Sequence, residues 1–265
     1  MRAASRNTSF DNLRVVANLG RRSVVGMTRQ PQAVFPSLFF PLMLTALNVA
    51  SFGKAATLPG FGADSFLDFA VAGAVVQGVM FGSTAAGVDM ALDVEGGFLD
   101  RLRTAPIPRW AVLIGRLIGP ALFASAQAVA FCLIFVAFGA DIAGGAAAVA
   151  VLVVVAALLA VAVGAIFVAI ALRTGSSEAV QALFPIVFIS LFVSTAMFPG
   201  ALMTGWFKRV ALANPVSSMM EGLRHQVLVG FDLGEALDAA TVVLGLLVVS
   251  MALATLALRR RVVIA

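Results

Sequence analysis

Residues 151–172, VLVVVAALLAVAVGAIFVAIAL, form an unbroken apolar run of 22 positions. Wound as a helix at about 1.5 Å per residue, such a run is about as long as bilayer hydrocarbon is thick. A membrane barrel would instead need alternating segments of about ten residues. Any other backbone arrangement leaves unpaired polar groups in lipid, at several kcal/mol each. A soluble core offers no refuge either. The 265 residues are 61% hydrophobic, with a mean hydropathy of +1.04, against about 45–50% apolar in soluble domains.

Further apolar runs give six predicted spans: 34–52, 66–88, 110–139, 146–172, 181–203 and 239–258. Pro185 and Pro199 fall inside the fifth. The expected fold class is all-α, a polytopic protein with six transmembrane helices. One membrane domain (34–258) is preceded by a cytoplasmic N-terminal segment (1–33) and followed by a basic tail (259–265).

Charge orients these spans. Arg2, Arg6, Arg14, Arg21, Arg22 and Arg29 face Asp11 alone before the first span, and Arg259, Arg260 and Arg261 follow the last. The loops after spans 2 and 4 hold Arg101, Arg103, Arg109 and Arg173, whereas those after spans 1 and 3 hold only Lys54. The basic excess places both termini in the cytoplasm. Lys208, Arg209 and Arg224, before the last span, are the exception. The net charge of +5 is thus a signal for orientation and anionic lipid, and nucleic acid is not an expected partner. About 30 residues precede the first apolar core, so no cleavable signal peptide is expected. The single Cys132 excludes a disulfide framework or a cysteine metal site.

Residues 8–30 can form an amphipathic helix lying in the membrane interface, with Phe10, Leu13, Val16 or Ala17, Val24 and Met27 on one side. Gly20 and Gly26 weaken it, and a partly disordered basic leader is the alternative. Pro31 and Pro36 mark the turn into span 1.

Between spans 2 and 3 lies a polar island, residues 89–109, where seven of 21 positions are charged in a chain only 12% charged. Gly96-Gly97 breaks it, Phe98, Leu102 and Ala105 recur near helical spacing, and Pro106-Ile107-Pro108 stops it. This pattern predicts a short cytoplasmic surface helix; an ordinary solvated loop is the alternative. A second irregular region, 198–238, is interrupted by Pro199, Gly200, Gly205, Pro215, Gly222 and Gly230. Its halves, 200–213 and 215–229, are too short to span but suit re-entrant or interfacial helices. Asn214 before Pro215 predicts an N-cap with proline at N1, and a helix running to about Gly230.

Several chemistries are missing. The sequence has no GxxxxGK[ST] phosphate loop, no HExxH and no GxSxG, and His225 is its one histidine. Glu221, Arg224 and His225 at helical spacing are thin as a metal or acid–base site and read instead as an interfacial ion pair. The span centres carry no ionisable residue, which argues against an ion-coupled transporter. Uncharged polar residues remain, among them Asn48, Gln77, Gln127 and Ser194. They can line a pathway for an amphiphilic substrate, or bond between helices and to their own backbone. Gly73, Gly78, Gly82 and Gly87 suit close helix packing, at a dimer face or internally.

Two motifs carry a family resemblance. Residues 95–106, EGGFLDRLRTAP, resemble the signature loop of type-2 ABC-exporter permeases, and residues 214–224, NPVSSMMEGLR, resemble that family's second motif. The likeness is closest to the drug-resistance and antibiotic-export branch. It implies a permease subunit, itself not an enzyme, that moves a hydrophobic or amphiphilic substrate out of a bacterial cell across the plasma membrane. Two permeases, a second copy or a homologue, would pair with two separate cytosolic ATPase subunits. ATP and Mg would sit on those partners, with no cofactor in this chain. The loop would be a coupling helix docked on the ATPase through Glu95, Gly96, Arg101, Arg103 and Pro106. Asn214, Pro215, Glu221 and Arg224 would belong to external re-entrant helices. Outside this resemblance, a non-transporting membrane scaffold or a secondary transporter is the alternative.

Overall fold

The structure, a computed structural model, describes residues 8–29, 31–98 and 108–264. Among them no strand occurs. The helices are α1 (Thr8–Thr28), α2 (Pro31–Phe52), α3 (Phe66–Glu95), α4 (Arg109–Ala137), α5 (Gly145–Thr174), α6 (Ser177–Ala182), α7 (Phe184–Phe192), α8 (Gly205–Ala213), α9 (Pro215–Leu228) and α10 (Leu233–Ile264). Among the described residues five segments, in α2 with the turn that follows it, α3, α4, α5 and α10, are long and apolar enough to cross a membrane.

Helix α3 is the axis of the bundle and is buried along most of its length. Its glycines make that possible. A Cβ at Gly87 would lie 2.5 Å from the Phe167 Cβ and 2.9 Å from the Phe167 carbonyl oxygen, so α3 and α5 meet backbone to side chain. Gly78 and Gly82 likewise receive Gln127 and Phe123 of α4, and Gly73 faces the Ala196 carbonyl. All four of these contacts are internal to the chain.

Proline shapes the neighbours of α3. Pro36 and Pro41 sit inside α2, so the helix starts at Pro31 and runs through the predicted turn. Pro41 has no N–H for the carbonyl four residues earlier. That carbonyl, on Ser37, instead accepts a bond from Gln127 Nε2 at 2.6 Å. Pro120 inside α4 frees the Arg116 carbonyl in the same way, and Ser23 Oγ of α1 donates to it at 2.7 Å.

The helical expectation for residues 8–30 is met by α1, whose described residues pack along α4. Gly20 lies against Ile118, Leu19 against Gly115 and Ser23 against Gly119. The small residues that lower helix propensity are therefore the contact face. Leu13 remains 63% exposed and Met27 is buried.

The predicted fifth span is not one helix. Pro185 stands in the first turn of α7, where a missing N–H is tolerated, and the chain breaks at Leu183 between α6 and α7. Beyond Phe192 it turns without regular helix as far as Pro199. Contacts fix where this segment goes. At its start, Ser177 N–H donates to Glu95 at the end of α3. At its far end, Arg224 of α9 stacks on Phe69 near the start of α3, and Ala143 N–H donates to the Val227 carbonyl. Between Ser177 and Arg224 the chain passes from one end of the α3 axis to the other.

Candidate functional site

The first candidate region is the end of α3 from which the polar island departs. Asp89 and Asp93 lie one helical turn apart, so both carboxylates share a face. Asp93 pairs with Arg22 of α1 at 2.8 Å and also with Arg116 of α4, which lies 3.4 Å from Asp89. The Arg22 guanidinium additionally covers the Phe98 ring, 3.7 Å from its centre. Three helices and the first residues of the loop are thereby pinned together. Glu95 follows on the exposed side, and its Oε1 accepts from Ser177 N–H at 3.0 Å. Gly96 caps α3, and Gly97 turns the chain with φ +66. Arg101, Arg103 and Pro106, with the predicted helix around Leu102 and Ala105, lie outside the described residues.

The second region surrounds Asn214. Its side chain caps α9, Oδ1 accepting from Val216 N–H at 3.0 Å, with Pro215 at N1 as the sequence predicts. The same side chain does more. Nδ2 donates to the Ser190 and Val193 carbonyls at 2.7 and 2.6 Å, satisfying groups that the broken helix α7 leaves open. Ser217 adds a second tie, accepting from Thr195 N–H and donating to the Ala211 carbonyl. Helices α8 and α9 thus meet at Asn214 beside the end of α7.

Arg224, one face further along α9, is only 4% exposed. Nη2 donates to the Thr195 and Ala196 carbonyls at 2.6 and 2.9 Å, the guanidinium carbon sits 3.7 Å from the centre of the Phe69 ring, and Glu221 lies 3.6 Å from Nη1. Burial pulls its pKa down to about 10, against the opposite pull of Glu221, so the group stays charged at neutral pH. The Glu221–Arg224 ion pair expected from sequence exists, but Arg224 is buried, and the backbone carbonyls of the unwound segment are its closer partners. His225 joins no metal cluster among the described residues.

A family model described as "ABC-2 type transporter" matches residues 14–228, which takes in both regions. The chain belongs to the ABC-2 type transporter family. It is similar to the daunorubicin resistance ABC transporter permease protein DrrB1 of Streptomyces coeruleorubidus, 29% identical over 192 residues, 69% of this chain. That match spans 63% of the relative's length. A second relative, the putative transport permease ycf38 of Porphyra purpurea, is 27% identical over 222 residues, 82% of this chain and 75% of its own. Family and fold together make this a multi-pass membrane protein.

Within this ABC-2 family member the polar residues marked in the spans separate. Asn48 and Gln77 line one small cavity of about 20 Å³, room for a single water-sized molecule. Asn48 reaches the Met197 sulfur at 3.9 Å, and Gln77 Nε2 has no partner among the described residues. Gln127 lies elsewhere, on Ser37. Ser194 turns back on the Leu191 carbonyl and accepts from Ala196 N–H. Sequence reasoning missed Ser177, Arg261 and the pairing role of Asp93. The four-residue spacing of Asp89 and Asp93, opposite arginines on α1 and α4, was the available signal for the last.

Proposed function

We propose that this chain is the membrane-spanning permease subunit of an ATP-driven exporter. The observation that carries the reading is the tethering of α1, α3, α4 and α6 at the root of the charged loop. A force applied there by a soluble partner reaches most of the bundle. Family membership supports the role, and the sequence holds no phosphate-binding loop of its own. A separate cytosolic ATPase subunit would supply the energy, carrying ATP and Mg, and would grip the loop through Gly96, Arg101, Arg103 and Pro106, with Glu95 at its base. A second permease, identical or homologous, would complete the pathway.

In this reading the chain crosses a bacterial plasma membrane six times with both termini in the cytoplasm. The fifth crossing is the broken α6–α7 segment with the turns that follow. The return of Arg261, near the end of α10, to the Leu172 carbonyl at the end of α5 supports that count. Helices α8 and α9 form a re-entrant hairpin at the outer end, and α1 lies at the inner interface with its exposed arginines toward lipid. The cargo is a hydrophobic or amphiphilic compound of the drug or antibiotic class, as the resistance role in the DrrB1 relative's name suggests. Asn48 and Gln77 remain candidate pathway residues in this reading, on a cavity that admits only a water-sized molecule until the helices around it separate. Inside-out vesicles carrying the chain with its candidate ATPase should take up daunorubicin only when ATP is present. Uptake at the same rate without the ATPase subunit would refute the reading.

A further inference from the structure

Glu95 is the last residue of α3, and its carboxylate, on the exposed side, reaches the first residue of α6. Oε1 accepts the backbone N–H of Ser177, the first residue of α6, at 3.0 Å. The turn that delivers Ser177 is held on both sides. Gly175 adopts φ +68, and a Cβ there would lie 3.3 Å from Val94 of α3 and 3.1 Å from the Arg261 guanidinium of α10. Arg261 also donates to the Leu172 carbonyl at 2.8 Å. The end of α5 is therefore anchored to α10, while α6 is attached to α3 through Glu95.

The two acidic positions at the end of α3 thus have different partners. Asp93 binds α1 and α4, long continuous helices. Glu95 binds a helix of six residues that breaks at Leu183, continues as α7, and is bonded at Ser190 and Val193 to Asn214. The unwound residues beyond, Thr195 and Ala196, are held by Arg224. A continuous chain of contacts leads from the base of the loop, through the interrupted α6–α7 segment, to the α8–α9 hairpin.

We propose that Glu95 is a positioning residue that passes displacement of the end of α3 to α6 and α7, and through them to the hairpin. The proposal rests on the reading of this chain as an ATPase-coupled permease. It makes a distinctive chemical demand. A backbone N–H needs an acceptor, not a charge, so glutamine serves where alanine fails. Were Glu95 instead a docking charge for the ATPase, glutamine would fail too.

The test uses the full chain with its ATPase subunit in lipid nanodiscs, in a Cys132→Ala background carrying Leu212→Cys on α8. Leu212 is 55% exposed and lies against Gly200. The maleimide labelling rate at the introduced thiol is compared without nucleotide and after trapping with ATP and vanadate. In the otherwise unaltered chain and in Glu95→Gln, trapping changes the rate by about fivefold or more. In Glu95→Ala the change is lost. Ser177→Pro removes the donor itself at a helix N1 position where proline is tolerated, after Ser176, whose extended backbone accepts it. It reproduces the Glu95→Ala result without touching the carboxylate. A nucleotide response retained in Glu95→Ala and Ser177→Pro overturns the proposal. So does its loss in Glu95→Gln, or its absence from the unaltered chain. If the unaltered chain retains no ATPase, the permease reading itself fails, and the proposal with it.

Discussion

Gln127 donates through Nε2 to the carbonyl of Ser37, the group that Pro41 strips of its intrahelical donor. The bond joins α4 to α2 where lipid or protein, rather than water, would otherwise face the carbonyl. Gln127→Leu should destabilise the protein by about 1–2 kcal/mol, read as a lower melting temperature in detergent. Pro41→Ala restores the N–H, so Gln127→Leu should cost clearly less in the Pro41→Ala background than in the otherwise unaltered chain. Strict additivity would contradict the pairing.

Ser23 does for Pro120 what Gln127 does for Pro41, and it holds α1 on α4. Ser23→Ala should loosen α1 by about 1 kcal/mol. Gly119→Val should displace it, because a Cβ at Gly119 meets the Ser23 backbone at 2.9 Å. Trypsin cleavage after the exposed Arg21 and Arg22 reports both, and should rise modestly in the first variant and strongly in the second. Unchanged cleavage in Gly119→Val would mean that α1 does not depend on this face.

These two bonds mark what was legible in the sequence and what was not. The long apolar runs, Gly96-Gly97 and the Asn214-Pro215 cap could be read directly, because length, composition and local capping rules govern them. The glycines of α3 announced close packing, but their internal partners on α4, α5 and the unwound segment depended on how the helices came together. Gln127 looked as suitable for a pathway as Asn48. Only the juxtaposition of α2 and α4 reveals that it answers a proline 86 positions away. Arg224 read as half of an interfacial ion pair, because its spacing points to Glu221 and not to the two carbonyls that the unwound chain offers it at Thr195 and Ala196.

Arg224→Lys keeps the charge but loses the forked reach to both carbonyls and the flat contact with Phe69. A stability loss of about 2–3 kcal/mol is expected, with Arg224→Met at least as damaging. A lysine variant with an unaltered melting temperature would show that the fork is dispensable.

Asn214 separates capping from cross-linking. Aspartate is as good an N-cap as asparagine, but it cannot donate to Ser190 and Val193, and it would place a carboxylate against their carbonyls. Asn214→Asp should therefore be at least as damaging as Asn214→Ala in thermal stability and export. Near-normal behaviour of the aspartate variant would reduce Asn214 to a simple cap.

The central claim, that the loop after α3 is the handle for a separate ATPase, is tested most directly by retention. Tagged permease, unaltered or carrying Arg103→Glu, is purified from membranes also holding the candidate ATPase, and the ratio of ATPase to permease is measured. The unaltered chain should retain the ATPase, and Arg103→Glu should lose at least about nine-tenths of it, a change of about 1.4 kcal/mol or more in binding, at an unchanged melting temperature. Equal retention by both would contradict the account.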